Sequence, residues 1–333
     1  MTPTRFTRRH ILRLLPSAGL AASLPSCSKH PTQTADGRPI IRFGHFPNIT
    51  HVQALVAHHL SRLGQGWFEK RLEAQIEWYT YNAGPSAIEA IFAQALDVTY
   101  IGPSPVLNAF AKSRGAEPRI LAGAANGGSA LVIRSDAGIA TPADFRGKKV
   151  ASPQLGNTQD IQLRAWLVEH GFSVTQTGGD VYVIPTPNAD ILALFDKGDL
   201  HAAWTVEPWV ARLELEAGAK VFLADTETTV TLLAARSSWL QEQPDLARKL
   251  VDAHRELTEW ILSHPAESRA MIKEELQKLT TAAPSDAVLD LALSRTVLTN
   301  DITRASLETM VTSAQKAGFL TDIPALDPLL PNL

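Results

Sequence analysis

The sequence predicts an α/β protein built on open, largely parallel sheets, and three observations carry that prediction. From Pro39 onward, short runs rich in β-branched and apolar residues alternate with helical stretches, as strand-to-helix units require. The 333 residues suffice for two packed lobes or one large α/β domain. Several helical stretches also open, directly after a strand, on residues suited to capping free backbone N–H groups.

The elements follow in order. Residues 40–44 read as the first strand, and a helix begins near Thr50 and runs through His59. Residues 75–81 form a strand by alternation and 86–95 a helix; 98–102 form a third strand and 105–112 a third helix. Strands at 119–123 and 130–134 precede a polar turn at 144–149. Then come a strand at 150–152, a helix at 158–169, a strand at 181–184, a helix at 189–196 and a strand at 202–206. A last strand at 230–235 leads into a helical tail. There Leu246, Leu250, Ala253, Leu257 and Ile261 share one helical face and read as core. Thr50 with Gln53, and Ser86 with Glu89, fit the capping box; Ser104 precedes a proline, and Asn157 and Asn188 repeat the theme. In an open α/β sheet these junctions lie at the carboxyl ends of the strands, where ligands bind. Each cap read alone is a structural device; together they place a ring of donors suited to a small anion.

Composition narrows the function. Apolar content of 45% and charge of 20% are ordinary for a globular chain. A formal net charge of −3 argues against a general nucleic-acid binder. The first thirty residues follow other rules. Arg8 and Arg9 form a twin-arginine pair ahead of an apolar stretch from Leu14 to Leu24, the layout of an export signal. Cys27, the single cysteine, ends that stretch and has no partner for an internal disulfide. It stands where a bacterial lipobox places its lipidated cysteine. Residues 1–27 therefore read as signal and 28–38 as a flexible tether.

Six segments carry a resemblance: residues 46–51, 82–89, 100–105, 123–131, 153–160 and 203–209. Together they resemble the substrate-binding proteins of aliphatic sulfonate, taurine and nitrate importers, in the right order along nearly all of the mature chain. The resemblance implies a type II periplasmic-binding-protein fold, two α/β lobes with a ligand cleft and two hinge crossovers. One lobe is then residues 39–127 with 229–333, and the other residues 128–228. It implies an exported, monomeric lipoprotein without cofactor or metal. Such a protein takes a small organic anion, an aliphatic sulfonate first among them, to an ABC permease and its ATPase. Taurine, nitrate or a heterocyclic metabolite are the alternatives, and its only membrane contact is the lipid.

The matching loops become the contact set that the resemblance implies. Asn48, Thr50, His51, Gly84, Pro85, Ser86, Gly102, Pro103 and Ser104 line one wall; Asn157, Thr158, Trp204 and Glu207 line the other. Trp204 reads either as a π-face for the ligand or as a plug of the lobe core. Glu207 reads either as a partner for a ligand ammonium or as an acid at a helix start. Asp160 reads as a helix-stabilising acid. The segment 221–231 reads as a shortened loop at the cleft mouth. Pyrimidine-precursor synthases share the fold, but they depend on a cysteine-rich motif, and no cysteine follows Cys27. A sensing domain of a LysR-type regulator would need an N-terminal helix-turn-helix where this chain has an export signal.

Overall fold

The computed structural model describes residues 31–176, 178–280 and 282–331. Arg8, Arg9 and Cys27 lie outside the described residues. In chain order the elements are β1 (Ile40–His45), α1 (Val52–Arg62), α2 (Trp67–Leu72), β2 (Gln75–Thr80), α3 (Gly84–Phe92), β3 (Val98–Ile101), α4 (Pro103–Lys112), β4 (Arg119–Gly127), β5 (Ser129–Ile133), β6 (Lys149–Ser152) and α5 (Thr158–Glu169). There follow β7 (Tyr182–Pro185), α6 (Asn188–Asp196), β8 (Ala202–Val206), α7 (Trp209–Ala217), β9 (Lys220–Asp225), β10 (Thr229–Ala235), α8 (Ser237–Glu242), α9 (Pro244–Ser263), α10 (Pro265–Thr280), α11 (Asp286–Ser294), β11 (Thr296–Leu298) and α12 (Arg304–Lys316).

The strands form two sheets, ordered β11-β4-β10-β3-β1-β2 and β7-β6-β8-β5-β9. Parallel pairs β1–β2, β1–β3, β6–β7 and β6–β8 carry the strand-to-helix units, while β10, β11, β5 and β9 pair antiparallel. The first sheet draws on both ends of the chain and the second only on residues between them. The chain passes from one to the other at Gly127–Gly128, and returns between β9 and β10. This is the two-lobed fold with a cleft and two crossovers that the sequence implies.

The two-residue period of a strand sends alternate side chains to opposite faces. Ile41, Phe43, Tyr100, Leu233 and Ala235 pack with the stripe of α9 in one cluster, whereas Ile101, Leu232 and Ala234 pack on the other face with α3 and α4. In the second sheet Leu131, Ile133, Ala202 and Trp204 face one way, and Ala130, Val132 and Ala203 the other. Both sheets are thus covered on both sides, which explains why their strands read as nearly continuous apolar runs.

Three features differ from the sequence reading. The supposed loop at 221–231 contains the edge strand β9 and the start of β10; its four apolar residues, Val221 to Ala224, run without alternation and are too few to mark a strand. A second strand, β11, interrupts the helical tail, and at three residues it is too short to show a period. The tether's second half is ordered as a turn: Gln33 bridges Pro39, Thr34 N–H donates to Arg38 O at 2.9 Å, and Ile40 N–H donates to Thr32 O at 2.9 Å. α2 and α7 also escaped the sequence reading.

Asp97 ties the first sheet together. Its carboxylate accepts from Arg42 Nε at 2.9 Å, Arg42 Nη2 at 2.8 Å, Arg42 N–H at 3.0 Å and Arg236 Nη2 at 2.7 Å, with all three side chains buried. Removing one side of a buried ion network strands the remaining charges. Asp97→Ala is therefore expected to cost about 3–5 kcal/mol, lowering Tm by roughly 10 °C in a chain of this size. Calorimetry showing a drop of less than about 2 °C would contradict that role.

Candidate functional site

A narrow cleft between the two sheets, with about 20 Å³ of free space, gathers the carboxyl ends of the strands. Of the expected contact residues, Asn48, Thr50, His51, Gly84, Gly102, Asn157 and Thr158 line it. Phe46, Asn82, Gln159 and Asn188 line it as well and were missed as contacts. Asn188 was visible as a helix-start residue, and the others adjoin residues already singled out. Among the described residues, the lining contains no Lys, Arg, Asp or Glu.

The helix starts are organised differently from the expected caps. Of the expected caps, Asn157 alone caps with its side chain, accepting from Asp160 N–H at 2.8 Å. α1 begins at Val52, so Thr50 sits in the preceding 3₁₀ turn. Gly84-Pro85 and Pro103 start α3 and α4, with proline in the first two positions, so Ser86 and Ser104 fall inside the first turn. Asn188 is the first residue of α6 rather than its cap. The starts of α1, α3 and α6 thus keep their N–H groups free of side-chain caps, whereas in α4 the Ser104 N–H is taken by the Thr158 hydroxyl.

The amides are aimed by hydrogen-bonded partners. An indole N–H can only donate, so Trp209 Nε1, 3.0 Å from Asn48, must face Oδ1 and leaves the Asn48 NH₂ to the cleft. Thr205 hydroxyl donates to Asn188 Oδ1 at 2.6 Å, freeing that NH₂ too. Asn157 donates to Gln159 Oε1 at 3.2 Å, and Gln159 in turn donates to Ser129 Oγ at 3.5 Å. Phe46 N–H donates to His51 Nδ1 at 3.4 Å, which puts the ring proton on Nε2. Burial holds the His51 pKa well below its ordinary value. His51 is therefore a neutral donor.

Five expected contacts lie elsewhere, and a sixth, Trp204, touches the cleft only through another residue. Ser86 hydroxyl pairs with Gln154 at 3.1 Å and bridges the two sheets. Pro85 and Pro103 set helix starts. The Ser104 amide donates to Thr158 Oγ1 at 3.4 Å, another bridge. Trp204 shares the face of Ala202 and is buried in the second sheet's core, the core-plug alternative; its indole donates to Ser129 Oγ at 3.0 Å and so props Gln159. Glu207 is turned away from the cleft. Its Oε2 accepts from Ala211 N–H at 3.0 Å and its Oε1 meets Arg295 Nη1 at 3.3 Å, so it is the acid at a helix start. Burial raises its pKa to about 7 despite those partners. Asp160 is structural, accepting from Ser152 Oγ at 2.7 Å, Gly156 N–H at 2.9 Å and Arg164 Nε at 3.0 Å. No group of three or more His, Cys, Asp or Glu among the described residues is placed to hold a metal ion, and no described helix is long and apolar enough to cross a membrane.

Behind Phe46 a buried histidine pair supports the wall. His45 Nδ1 donates to Phe46 O at 3.3 Å, so its Nε2 accepts from His58 Nδ1 at 2.9 Å. His58 also meets Glu275, which Arg62 holds at 3.0 Å. Burial lowers the His45 pKa to about 4 and that of His58 to about 3. Both folded values lie below the unfolded 6.5, so the stability they confer is complete above pH 6.5 and is lost as pH falls toward 4. A His58→Gln variant should lose less stability than the parent between pH 6.5 and 4.5. Urea titrations with equal losses in both proteins would refute this.

Comparison with known proteins agrees with this geometry. The sequence model of the NMT1-like family matches residues 35–275. A putative aliphatic sulfonates-binding protein of Bacillus subtilis (strain 168) is 22% identical over 254 residues, 74% of each chain. The taurine-binding periplasmic protein of Escherichia coli (strain K12) is 26% identical over 199 residues, 56% of this chain and 59% of its own. Among solved structures, the alkanesulfonate-binding protein SsuA from Xanthomonas axonopodis pv. citri bound to MOPS superposes with a TM-score of 0.70 at 17% identity. That superposition covers 88% of this chain and 99% of the other.

Proposed function

We infer the function from two facts: the chain belongs to the NMT1-like family, and its cleft presents aimed, uncharged donors between two sheets. It is the substrate-binding protein of an ABC importer. Its ligand is a small organic anion, an aliphatic sulfonate first, and it delivers that ligand to a membrane permease driven by an ATPase. Residues 39–127 with 229–333 form one lobe, and residues 128–228 close onto it about the two crossings. Export by the twin-arginine signal and lipidation at Cys27 hold the protein, as a monomer, at the outer face of the membrane. Its role is capture rather than catalysis. The cleft lining holds neither cysteine nor carboxylate, and the named relatives are binding proteins.

The observation that carries the ligand class is the lining itself. Neutral amides, hydroxyls and uncapped helix starts stabilise an oxyanion without an opposing cation, because each donor is fixed before the ligand arrives. With Glu207 turned away, no carboxylate among the described residues lines the cleft to receive an ammonium group. An aminosulfonate such as taurine thus pays desolvation of its amine without return, which favours an alkanesulfonate.

Thermal unfolding of the mature protein with alkanesulfonates, taurine and nitrate tests this. A ligand at a hundredfold excess over its Kd adds about 2.7 kcal/mol, and the largest rise in Tm is expected with an alkanesulfonate. A larger shift with taurine would overturn the ligand class, and no shift with any oxyanion would overturn the anion reading. The closing contact is testable in the same assay. A Cβ at Gly102 would lie 2.4 Å from Thr158 Oγ1 across the cleft. Gly102→Ala should therefore weaken binding by at least about tenfold while leaving the ligand-free Tm nearly unchanged; parental affinity would show that Thr158 does not close onto that position.

A further inference from the structure

Behind the cleft, where the chain crosses between the sheets, a second cavity of about 160 Å³ is walled by Gly128, Glu207, Val210, Glu214, Thr226 and Arg295. Arg295 follows α11 and belongs to the side of the first sheet; Glu207 and Glu214 belong to the second. Arg295 pairs with both carboxylates, through the same nitrogen. Glu207 is fully buried, and Arg295 is the one cation recorded against it among the described residues.

Glu207 also carries part of the ligand wall. Its carbonyl accepts from Ile49 N–H at 2.8 Å, its N–H donates to Gly128 O at 2.8 Å, and two residues on Trp209 fixes the Asn48 amide. The backbone of Arg295 packs on the crossing as well: a Cβ at Gly127 would come within 2.8 Å of the Arg295 carbonyl oxygen. Gly127 and Gly128 both have positive φ, 69° and 65°, a conformation that favours glycine.

We propose that Arg295 is a positioning residue for the ligand cleft: by clamping Glu207 and Glu214 across the crossing, it holds the Glu207–Trp209 segment that aims Asn48 at the ligand. The inference rests on the binding function proposed above. The clamp spans the two sheets without entering the cleft, so ligand and clamp do not compete. One cationic nitrogen reaches both carboxylates, so a lysine at the same position retains the charge that the clamp needs.

The test uses Arg295→Met, Arg295→Lys and Glu214→Gln in the mature protein. The first readout needs no ligand: the indole N–H of Trp209 in a proton–nitrogen correlation spectrum, assigned by Trp209→Phe. Arg295→Met is expected to shift that signal and speed its exchange with solvent, with Arg295→Lys close to the parent and Glu214→Gln intermediate. The second readout is calorimetric affinity for the alkanesulfonate that most stabilises the parent. A loss of about tenfold is expected in Arg295→Met, with recovery to within about threefold in Arg295→Lys. An unmoved indole signal in Arg295→Met overturns the proposal, as does an equal loss of affinity in the Met and Lys variants. If no sulfonate binds the parent, the proposed ligand class fails while the indole readout still decides whether Arg295 positions Trp209.

Discussion

An anion held without a cation must be met by donors that cannot turn away, and here that constraint is satisfied one layer behind the cleft. The indole proton of Trp209 has a single use, donation, and so dictates which end of Asn48 faces the ligand space. Thr205 hydroxyl holds Asn188 through Oδ1, and a chain from Trp204 through Ser129 holds Gln159. Most of the expensive packing around the cleft, including two buried tryptophans, serves to remove rotational freedom from amides. Free amides would have to be ordered by the ligand itself, at a cost in affinity.

The partition between wall and support explains which parts of the site were legible in the sequence. The loops after β1, β3 and β6 announce themselves through Gly, Pro, Asn and Ser directly after apolar runs, and most of the residues singled out there do line the cleft. Whether a side chain faces ligand or core depends on parity and partner, which a loop motif does not encode. Trp204 could have been assigned from the alternation of Ala202-Ala203-Trp204, since a residue two places from a core alanine shares its face. Glu207 could not: its direction is set by Arg295, far along the chain and unmarked by any motif. The caps at Thr50, Ser86 and Ser104 were misread because prolines fix where α3 and α4 begin and a 3₁₀ turn precedes α1.

The fold itself was legible for a related reason. Strands buried on both faces are apolar throughout, and the helices between them carry either a clear stripe, as α9 does, or a punctuated start. What escaped was peripheral: β9 and β11 are edge strands, and edges are short and half-solvated. Yet the edges matter to the site, because β11 follows immediately on Arg295 and β9 leads into the return crossing.

The sheet order has a further consequence for how the molecule is assembled in time. The five strands of the second sheet come from one uninterrupted stretch of chain, so they can find one another while synthesis is still under way. The first sheet cannot be completed then, because β4 and β3 both pair with β10, which emerges only after the entire second sheet. Until it arrives, β3 and β4 each present an unpaired edge, and closing that gap costs the entropy of a long loop unless the intervening segment has already collapsed. A prefolded second sheet brings the ends of that loop together. The insertion that creates the binding cleft in the finished protein is thus also a scaffold for making its other half.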